Sequence, residues 1–385
     1  MSRCVGCGAI LQSVDQNAAG YIPPSSEAEG KLYCKRCYQI RNHNYDYSLD
    51  NYQILTNPEQ LTKYHHQYFN HLNEIRENNT LVLLIVDCLD IHNGFIPNIK
   101  AIVKNMPLWV IVNKIDLMPK AFKINKFEEY LKRDAKELGL DLRNVLFISA
   151  SKLANVDLVI KRIKEAINKK GFNKTQVFVI GTTSVGKSTF INQIIKSYGD
   201  HSADGIITTS LVSNTTKDNI YINIGKNYQC TDTFIIDTPG YLNGSNLRSY
   251  LSLDNLKKIE PKALKPMTYQ LTSDQSFLLD KIASLDITLR SEHASVTFYM
   301  SNALYFHRTK LINKERAKAV LATSSVLNLS DVEKRIIEDQ KELTFEVTKP
   351  TYLWLSGLGF IQIVGDVAIK LSVPQIMKVV QDEIL

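Results

Sequence analysis

The stretch Gly181-Thr182-Thr183-Ser184-Val185-Gly186-Lys187-Ser188 constrains the fold more than any other part of this chain. It follows an apolar run, Gln176-Val177-Phe178-Val179-Ile180, and opens a helical pattern that ends near Ser197. An apolar strand, a glycine-bearing turn and Lys-Ser at a helix start together make a phosphate-binding P-loop. Successive backbone N–H groups of such a turn surround a phosphate, and the helix N-terminus adds partial positive charge. Gly181, Ser184, Val185 and Gly186 supply the turn here. Lys187 reaches the β and γ phosphates, Ser188 offers its hydroxyl to Mg²⁺, and Thr189 completes the phosphate-binding set at the helix start.

The surroundings are those of an α/β fold. From Leu81 onward, buried strands alternate with helices, which implies a parallel sheet with helices on its faces. Strands are predicted at 81–86, 108–113, 145–149 and 176–180, followed by 218–224 and 233–237. Helices are predicted over about 97–105, 123–138, 154–169 and 187–197.

Three strand ends in this region carry chemistry. The strand at 108–113 runs into Asn113-Lys114-Ile115-Asp116. A carboxylate at Asp116 accepts two parallel hydrogen bonds from guanine N1–H and the exocyclic amine. Adenine offers neither donor, so against ATP the carboxylate would be desolvated without a partner. Asn113 can tie this loop to the P-loop, and the Lys114 stem can lie over the base. The strand at 145–149 runs into Ser149-Ala150-Ser151-Lys152, where the Ala150 N–H can donate to guanine O6. The strand at 233–237 ends in Asp237-Thr238-Pro239-Gly240. There Asp237 can hold Mg²⁺ through water and the Gly240 N–H can sense the γ-phosphate. Thr216, in Asn214-Thr215-Thr216-Lys217, can close over the metal. Together these signals specify GTP and GDP with Mg²⁺, and they place Lys187, Thr216, Asp237 and Gly240 at the reacting phosphate.

Their order is unusual. Most GTPases run P-loop, switch threonine, Asp-x-x-Gly, Asn-Lys-x-Asp, Ser-Ala. This chain runs Asn-Lys-x-Asp and Ser-Ala first, then the P-loop, the threonine and Asp-x-x-Gly. That is a circular permutation, which costs little where the original termini lie close together. Its consequence is that the Asp-x-x-Gly switch leads straight into the C-terminal domain, so loss of the γ-phosphate is expected to pull or release that domain.

The flanks read differently. Cys4-x-x-Cys7 and Cys34-x-x-Cys37 account for four of the six cysteines. Two such knuckles provide a closed tetrahedral Cys₄ site for structural Zn²⁺, with two redox pairs as the competing reading. Residues 1–45 are therefore expected to form a zinc module, 46–80 a linker and helix, 81–245 the permuted P-loop domain, and 246–385 a mostly β domain. The helix is predicted over 58–77 from Leu61, Tyr64, Tyr68, Leu72 and Ile75, with His65, His66 and His71 at its surface. In the last domain, strands are predicted at 295–300, 343–347, 352–355, 360–364 and 367–371. Gly365-Asp366 is read as a hairpin turn and 375–384 as a closing helix. A cluster of Arg308, Lys310, Lys314, Arg316 and Lys318 beside Tyr305 and Phe306 suits RNA, and suits a solvated face equally. The net charge of +7 is compatible with such a partner. No apolar run is long enough to span a bilayer, and the N-terminus carries no signal-peptide pattern, so a cytoplasmic protein without a membrane partner is expected.

With these residues in view, the chain resembles the YqeH-type circularly permuted GTPases, whose organellar relatives include the nitric-oxide-associated proteins. The resemblance runs over nearly the whole length. It includes Gly20-Tyr21-Ile22-Pro23 between the knuckles, Val86-Asp87-Cys88-Leu89-Asp90 at a strand end, and Leu355-Ser356-Gly357-Leu358-Gly359. It implies a GTPase acting on ribosomal RNA and a small-ribosomal-subunit precursor. Three positions depart from the family pattern. Ser213-Asn214-Thr215-Thr216 replaces Pro-Gly-Thr-Thr, and Ser184 stands where relatives carry an Asn that helps bind an activating potassium ion, which leaves potassium use open. Tyr241 follows Gly240 where Ras-like enzymes place a water-orienting Gln. Slow intrinsic hydrolysis is therefore expected, with a GTP-gated RNA-binding module of negligible turnover as the alternative.

Overall fold

A computed structural model describes residues 4, 10–14, 20–23, 33–35, 48–72, 80–119, 122–170, 175–198, 220–223 and 233–383. The chain divides into two compact units, Met1–Asp116 with Leu131–Asn243, and Leu117–Tyr130 with Gly244–Leu385.

The first unit is built on β1 (Thr80–Asp87), β2 (Leu108–Asn113), β3 (Leu142–Phe147), β4 (Thr175–Gly181), β5 (Ile220–Asn223) and β6 (Thr233–Asp237). They form one sheet in the order β3-β2-β1-β4-β6-β5, parallel except for β5, which runs antiparallel to β6. Every residue of β1 and β2 is buried, as expected of parallel strands covered on both faces. Helices α3 (Ile99–Val103), α5 (Val156–Lys170) and α6 (Lys187–Tyr198) accompany the sheet, and α1 (Ser48–Thr56) and α2 (Pro58–Leu72) precede it. Leu83 and Ile85 of β1 and Val177 and Val179 of β4 share a core with Ile160 and Ile163 of α5 and Phe190 and Ile194 of α6.

The register sets the site. Ile85 pairs with Gly181, Asp87 with Asn113, and Val179 with Asp237. The carboxyl ends of β1, β2, β4 and β6 therefore meet at one edge, where open parallel sheets bind ligands. The P-loop strand β4 lies at the centre. β1 and β2, which precede it in sequence, lie on one side; β6, which follows it, lies on the other.

The second unit pairs two five-stranded antiparallel sheets. One has the order β16-β13-β14-β10-β7 and the other β11-β8-β9-β15-β12. The strands are β7 (Met267–Leu271), β8 (Gln275–Leu279), β9 (Ala283–Leu289), β10 (Ala294–Met300), β11 (Phe306–Lys310), β12 (Gln340–Val347), β13 (Thr351–Leu355), β14 (Gly359–Val364), β15 (Val367–Pro374) and β16 (Val379–Asp382). Val296, Phe298, Leu353 and Ile361 from the first sheet share a core with Phe277, Leu285, Ile369 and Leu371 from the second. Helices α7 (Leu253–Ile259), α8 (Lys314–Ser324) and α9 (Asp331–Glu338) lie between strands in sequence. The opposite side of the first sheet is aromatic. Tyr299 and Trp354 lie with ring centroids 4.4 and 4.5 Å from that of Phe360, and Phe127 of α4 (Ile124–Glu137) lies 6.3 Å from Trp354. The segment that follows Asp116 thus belongs to this unit up to Tyr130.

Two local expectations fail here. Gly365-Asp366 is not a hairpin turn, because β14 pairs with β10 and β13 while β15 pairs with β9 and β12. The chain crosses between sheets at that point. Gly365, at φ 129°, permits it, since an added Cβ would lie 2.7 Å from Ala294 Cβ. The closing helix is also absent among the described residues: Pro374 ends β15, and β16 pairs antiparallel with β13. Strands β7, β8, β9, β11 and β16 were not anticipated from sequence.

Candidate guanine-nucleotide site

Three backbone positions of the P-loop have positive φ: Gly181 at 156°, Ser184 at 63° and Gly186 at 91°. Gly186 is required twice over, because a Cβ there would also collide with Asn113 Nδ2. The Lys187 ammonium, inside the loop, donates to the Gly181 and Thr182 carbonyls at 3.1 and 3.0 Å. Burial lowers its pKa to about 8, with the nearby Asp237 charge opposing the shift. Ser188 and Thr189 are half-buried at the start of α6.

Asn113 joins two loops. It is buried at the end of β2, its Nδ2 donates to Val185 O at 2.9 Å, and its Oδ1 accepts the Ala150 N–H at 2.9 Å. The tie to the P-loop is as the sequence anticipates. The Ala150 amide, however, already has Asn113 as acceptor, so guanine O6 would share or displace it. Lys114 sits at φ 66°, and its Nζ donates to Asp87 Oδ2 at 2.8 Å and Ser184 O at 2.9 Å. Its stem is thereby stretched between β1 and the P-loop. Asp116 is exposed beyond this anchored pair, in the 3₁₀ turn Ile115–Leu117. Ser149 is buried, with its hydroxyl accepting the Lys152 N–H at 3.2 Å.

Asp237 is fully buried at the end of β6. The segment after it is stitched to the P-loop: Thr238 Oγ1 donates to Val179 O at 2.9 Å, Tyr241 N to Gly181 O at 3.0 Å, and Thr183 N to Tyr241 O at 2.9 Å. Gly240 is pressed against the lysine, since an added Cβ would lie 3.0 Å from Lys187 Nζ. Asp237 and Ser188 both carry side-chain oxygens, the hard donors that Mg²⁺ takes, at the end of β6 and the start of α6. Thr216 lies outside the described residues.

By sequence Asp87 stands out only as part of the family pattern; the structure gives it a role of its own. Its Oδ1 accepts the Leu89 N–H at 2.9 Å while Oδ2 holds Lys114. Its signal was present in the sequence, as a carboxylate closing an otherwise apolar strand. His65, expected at the surface, is half-buried instead, and its Nε2 lies 3.1 Å from the Tyr241 hydroxyl.

Of the zinc candidates, Cys7 and Cys37 lie outside the described residues. Cys4 and Cys34 are both buried, and the Cys34 N–H donates to Cys4 Sγ at 3.1 Å, a bond suited to a thiolate knuckle. Among the described residues no group of three or more His, Cys, Asp or Glu side chains is placed to hold a metal. In the basic cluster, Arg308 donates to Gln275 and Gln270, Lys314 pairs with Asp286 at 2.6 Å and Lys318 with Glu315 at 2.9 Å. Lys310 and Arg316 are exposed.

A P-loop at the centre of the sheet, flanked by Asn-Lys-x-Asp on strands that precede it and Asp-x-x-Gly on one that follows, defines a circularly permuted GTPase. The comparisons agree. Residues 176–283 match the family described as 50S ribosome-binding GTPase. YqeH of Bacillus subtilis (strain 168) is 34% identical over 367 residues, covering 94% of this chain and 92% of that protein. NO-associated protein 1, chloroplastic/mitochondrial, of Arabidopsis thaliana is 23% identical over 408 residues, covering 94% of this chain and 70% of that protein. A GDP-bound structure of TM YlqF overlaps at 15% identity with a TM-score of 0.23, over 43% of this chain and 54% of that one, and adds nothing to the argument. The chain belongs to the YqeH family of circularly permuted GTPases.

Proposed function

We propose that the chain binds and slowly hydrolyses GTP while acting on an assembling small ribosomal subunit. The observation that carries the nucleotide reading is Asn113, which binds the P-loop and the Ser149-Ala150 loop at once and leaves Asp116 exposed beside them. In this reading Asp116 recognises guanine, and Lys187 and the P-loop amides hold the phosphates. Ser188, Asp237 and Thr216 hold Mg²⁺, which would offset negative charge on the phosphates. The zinc module is 1–45, with Cys4, Cys7, Cys34 and Cys37 as ligands. The permuted GTPase domain is 81–245, and 246–385 contacts ribosomal RNA. Lys310 and Arg316, both exposed, are the cluster cations best disposed to phosphate contact. Work in the cytoplasm belongs to the same proposal; among the described residues no helix is long and apolar enough to cross a membrane.

The slow rate follows from Tyr241. Its hydroxyl lies against His65, and the residue is 6% exposed, so it is not placed to orient an attacking water as a glutamine would. The same observation favours the second reading, a GTP-gated RNA-binding module with negligible turnover. Multiple-turnover hydrolysis by the chain alone, and with purified small or large ribosomal particles, tests both. The account expects slow turnover accelerated by small particles. Fast turnover alone, or acceleration only by large particles, contradicts it; no turnover with nucleotide-dependent particle binding selects the second reading.

A further inference from the structure

Helix α2 lies upstream of the permuted domain in sequence, yet it touches the γ-phosphate-sensing segment directly. Asn57 caps it, its side chain accepting the Glu59 and Gln60 N–H groups at 3.0 and 3.2 Å, and Pro58 opens its first turn. One face carries Tyr64, His65 and Tyr68. All three pack on Tyr241: the His65 ring stacks on it at 5.7 Å and 15°, the Tyr68 ring meets it edge-on at 5.1 Å, and the Tyr64 centroid is 6.4 Å away.

The Tyr64 hydroxyl makes two bonds at this face. It donates to Gly240 O at 3.0 Å and accepts the Leu242 N–H at 2.6 Å, spanning the backbone on either side of Tyr241. The remaining polar groups between these atoms go to the P-loop, with Tyr241 N on Gly181 O and Tyr241 O taking the Thr183 N–H. The Gly240–Leu242 backbone is thus held from two sides, by the P-loop and by one phenol. Burial pushes the Tyr64 phenol well above its ordinary value, so the hydroxyl keeps its proton and remains a donor across the neutral range.

Gly240 sits against Lys187 Nζ and the Thr183 backbone, where a residue sensing a third phosphate has to be. We propose that Tyr64 is a positioning residue for the Asp-x-x-Gly switch: its two hydrogen bonds hold Gly240 at the P-loop and thereby set how strongly the protein prefers GTP over GDP. The proposal rests on the guanine-nucleotide reading above. Tyr64 touches no phosphate and acts only through Gly240 and Leu242. His65 and Tyr68 contribute by keeping the Tyr241 ring packed against α2.

The test compares GDP with a non-hydrolysable GTP analogue on the full chain, for wild type, Tyr64→Phe and Tyr68→Phe. Tyr68 is buried and its hydroxyl has no hydrogen-bond partner among the described residues, so Tyr68→Phe controls for loss of a hydroxyl from the same face. Tyr64→Phe removes one donor and one acceptor. We expect it to weaken the GTP analogue about tenfold relative to GDP, the scale of one or two net hydrogen bonds. GDP binding should stay within about twofold of wild type, and Tyr68→Phe should leave the ratio unchanged. Equal weakening of both nucleotides by Tyr64→Phe, or an unchanged ratio, overturns the proposal. Should Tyr64→Phe not fold, hydrogen exchange at the Leu242 amide of the wild-type analogue complex decides instead: protection supports the proposal, and exchange at the unprotected rate refutes it. Failure of the wild-type chain to bind GDP refutes the guanine-site reading itself, a result separable from either outcome for Tyr64.

Discussion

Replacing Asn113 with alanine removes both bonds that lock the base-recognition strand to its neighbours. Val185 O and the Ala150 N–H, each 2.9 Å from the amide, lose their partner in a site where Asn113 is 2% exposed. An orphaned buried group costs about 1–3 kcal/mol, so the pair predicts a loss of about 2–6 kcal/mol. That is a large part of the stability of an ordinary domain. The measurement is urea unfolding followed through Trp109 of β2, in a background where Trp354, the other of the chain's two tryptophans, is replaced by phenylalanine. Trp109 reports on the first unit alone, which matters because two units need not unfold together. A repeat with GDP reads the coupling: at a hundredfold excess over Kd, ligand adds about 2.7 kcal/mol to wild type, and Asn113→Ala should gain much less at that concentration. Asn113→Asp retains the acceptor for Ala150 but sets a carboxylate oxygen against the Val185 carbonyl, so it should also lose nucleotide stabilisation. A loss below about 0.5 kcal/mol in Asn113→Ala, with full stabilisation by GDP, would refute the claim that this amide assembles the site.

Two further outcomes follow from the P-loop. The folded pKa of Lys187 is lowered from 10.5 to about 8, so below pH 8 the ammonium is charged in both states and its burial opposes folding; that opposition fades between pH 8 and 10.5 as the folded group alone gives up its proton. Bound phosphate restores the charge, so GDP binding should take up a proton and weaken as pH rises above about 8, measured by calorimetry in buffers of differing ionisation enthalpy. Lys187→Arg should abolish that pH dependence, and an equal slope in both proteins would contradict the assignment. Gly186→Ala, at φ 91° and with its Cβ directed into Asn113 Nδ2, should reproduce the loss of GDP stabilisation expected for Asn113→Ala. Native-like GDP affinity in that variant would mean that the loop has another way to close.

The nucleotide-binding half was legible in the sequence because its signals are local. A strand end, a turn and a helix start lie within one short window, and the apolar runs of β1, β2 and β4 match their buried lengths closely. What escaped was decided by distant partners. Leu61, Tyr64, Tyr68 and Leu72 identify a helix, but nothing near them in sequence indicates that Tyr64 bonds a carbonyl 176 residues away. Gly365-Asp366 has the composition of a hairpin, and only the choice of β9 and β12 as partners for β15 makes it a crossing between sheets. The segment after Pro374 carries apolar residues that suit a helix or an edge strand, and the free edge of β13 selected the strand. The basic cluster suits RNA or a solvated face by sequence, and only the partners distant in sequence divide it: Lys314 is half-buried on Asp286, while Arg308, though exposed, is tied to Gln275.

The central claim is that Asp116, exposed beside the Asn113-Lys114 anchor, selects guanine. Xanthine replaces the exocyclic amine of guanine with a carbonyl, which a carboxylate repels and a side-chain amide can satisfy. Competitive binding of GDP, XDP and ADP to wild type and to Asp116→Asn tests this directly. The account predicts that wild type prefers GDP by at least about a hundredfold over both competitors and that Asp116→Asn binds XDP in preference to GDP. A wild-type chain that accepts ADP as readily as GDP, or an Asp116→Asn chain that keeps its preference for GDP, would contradict it.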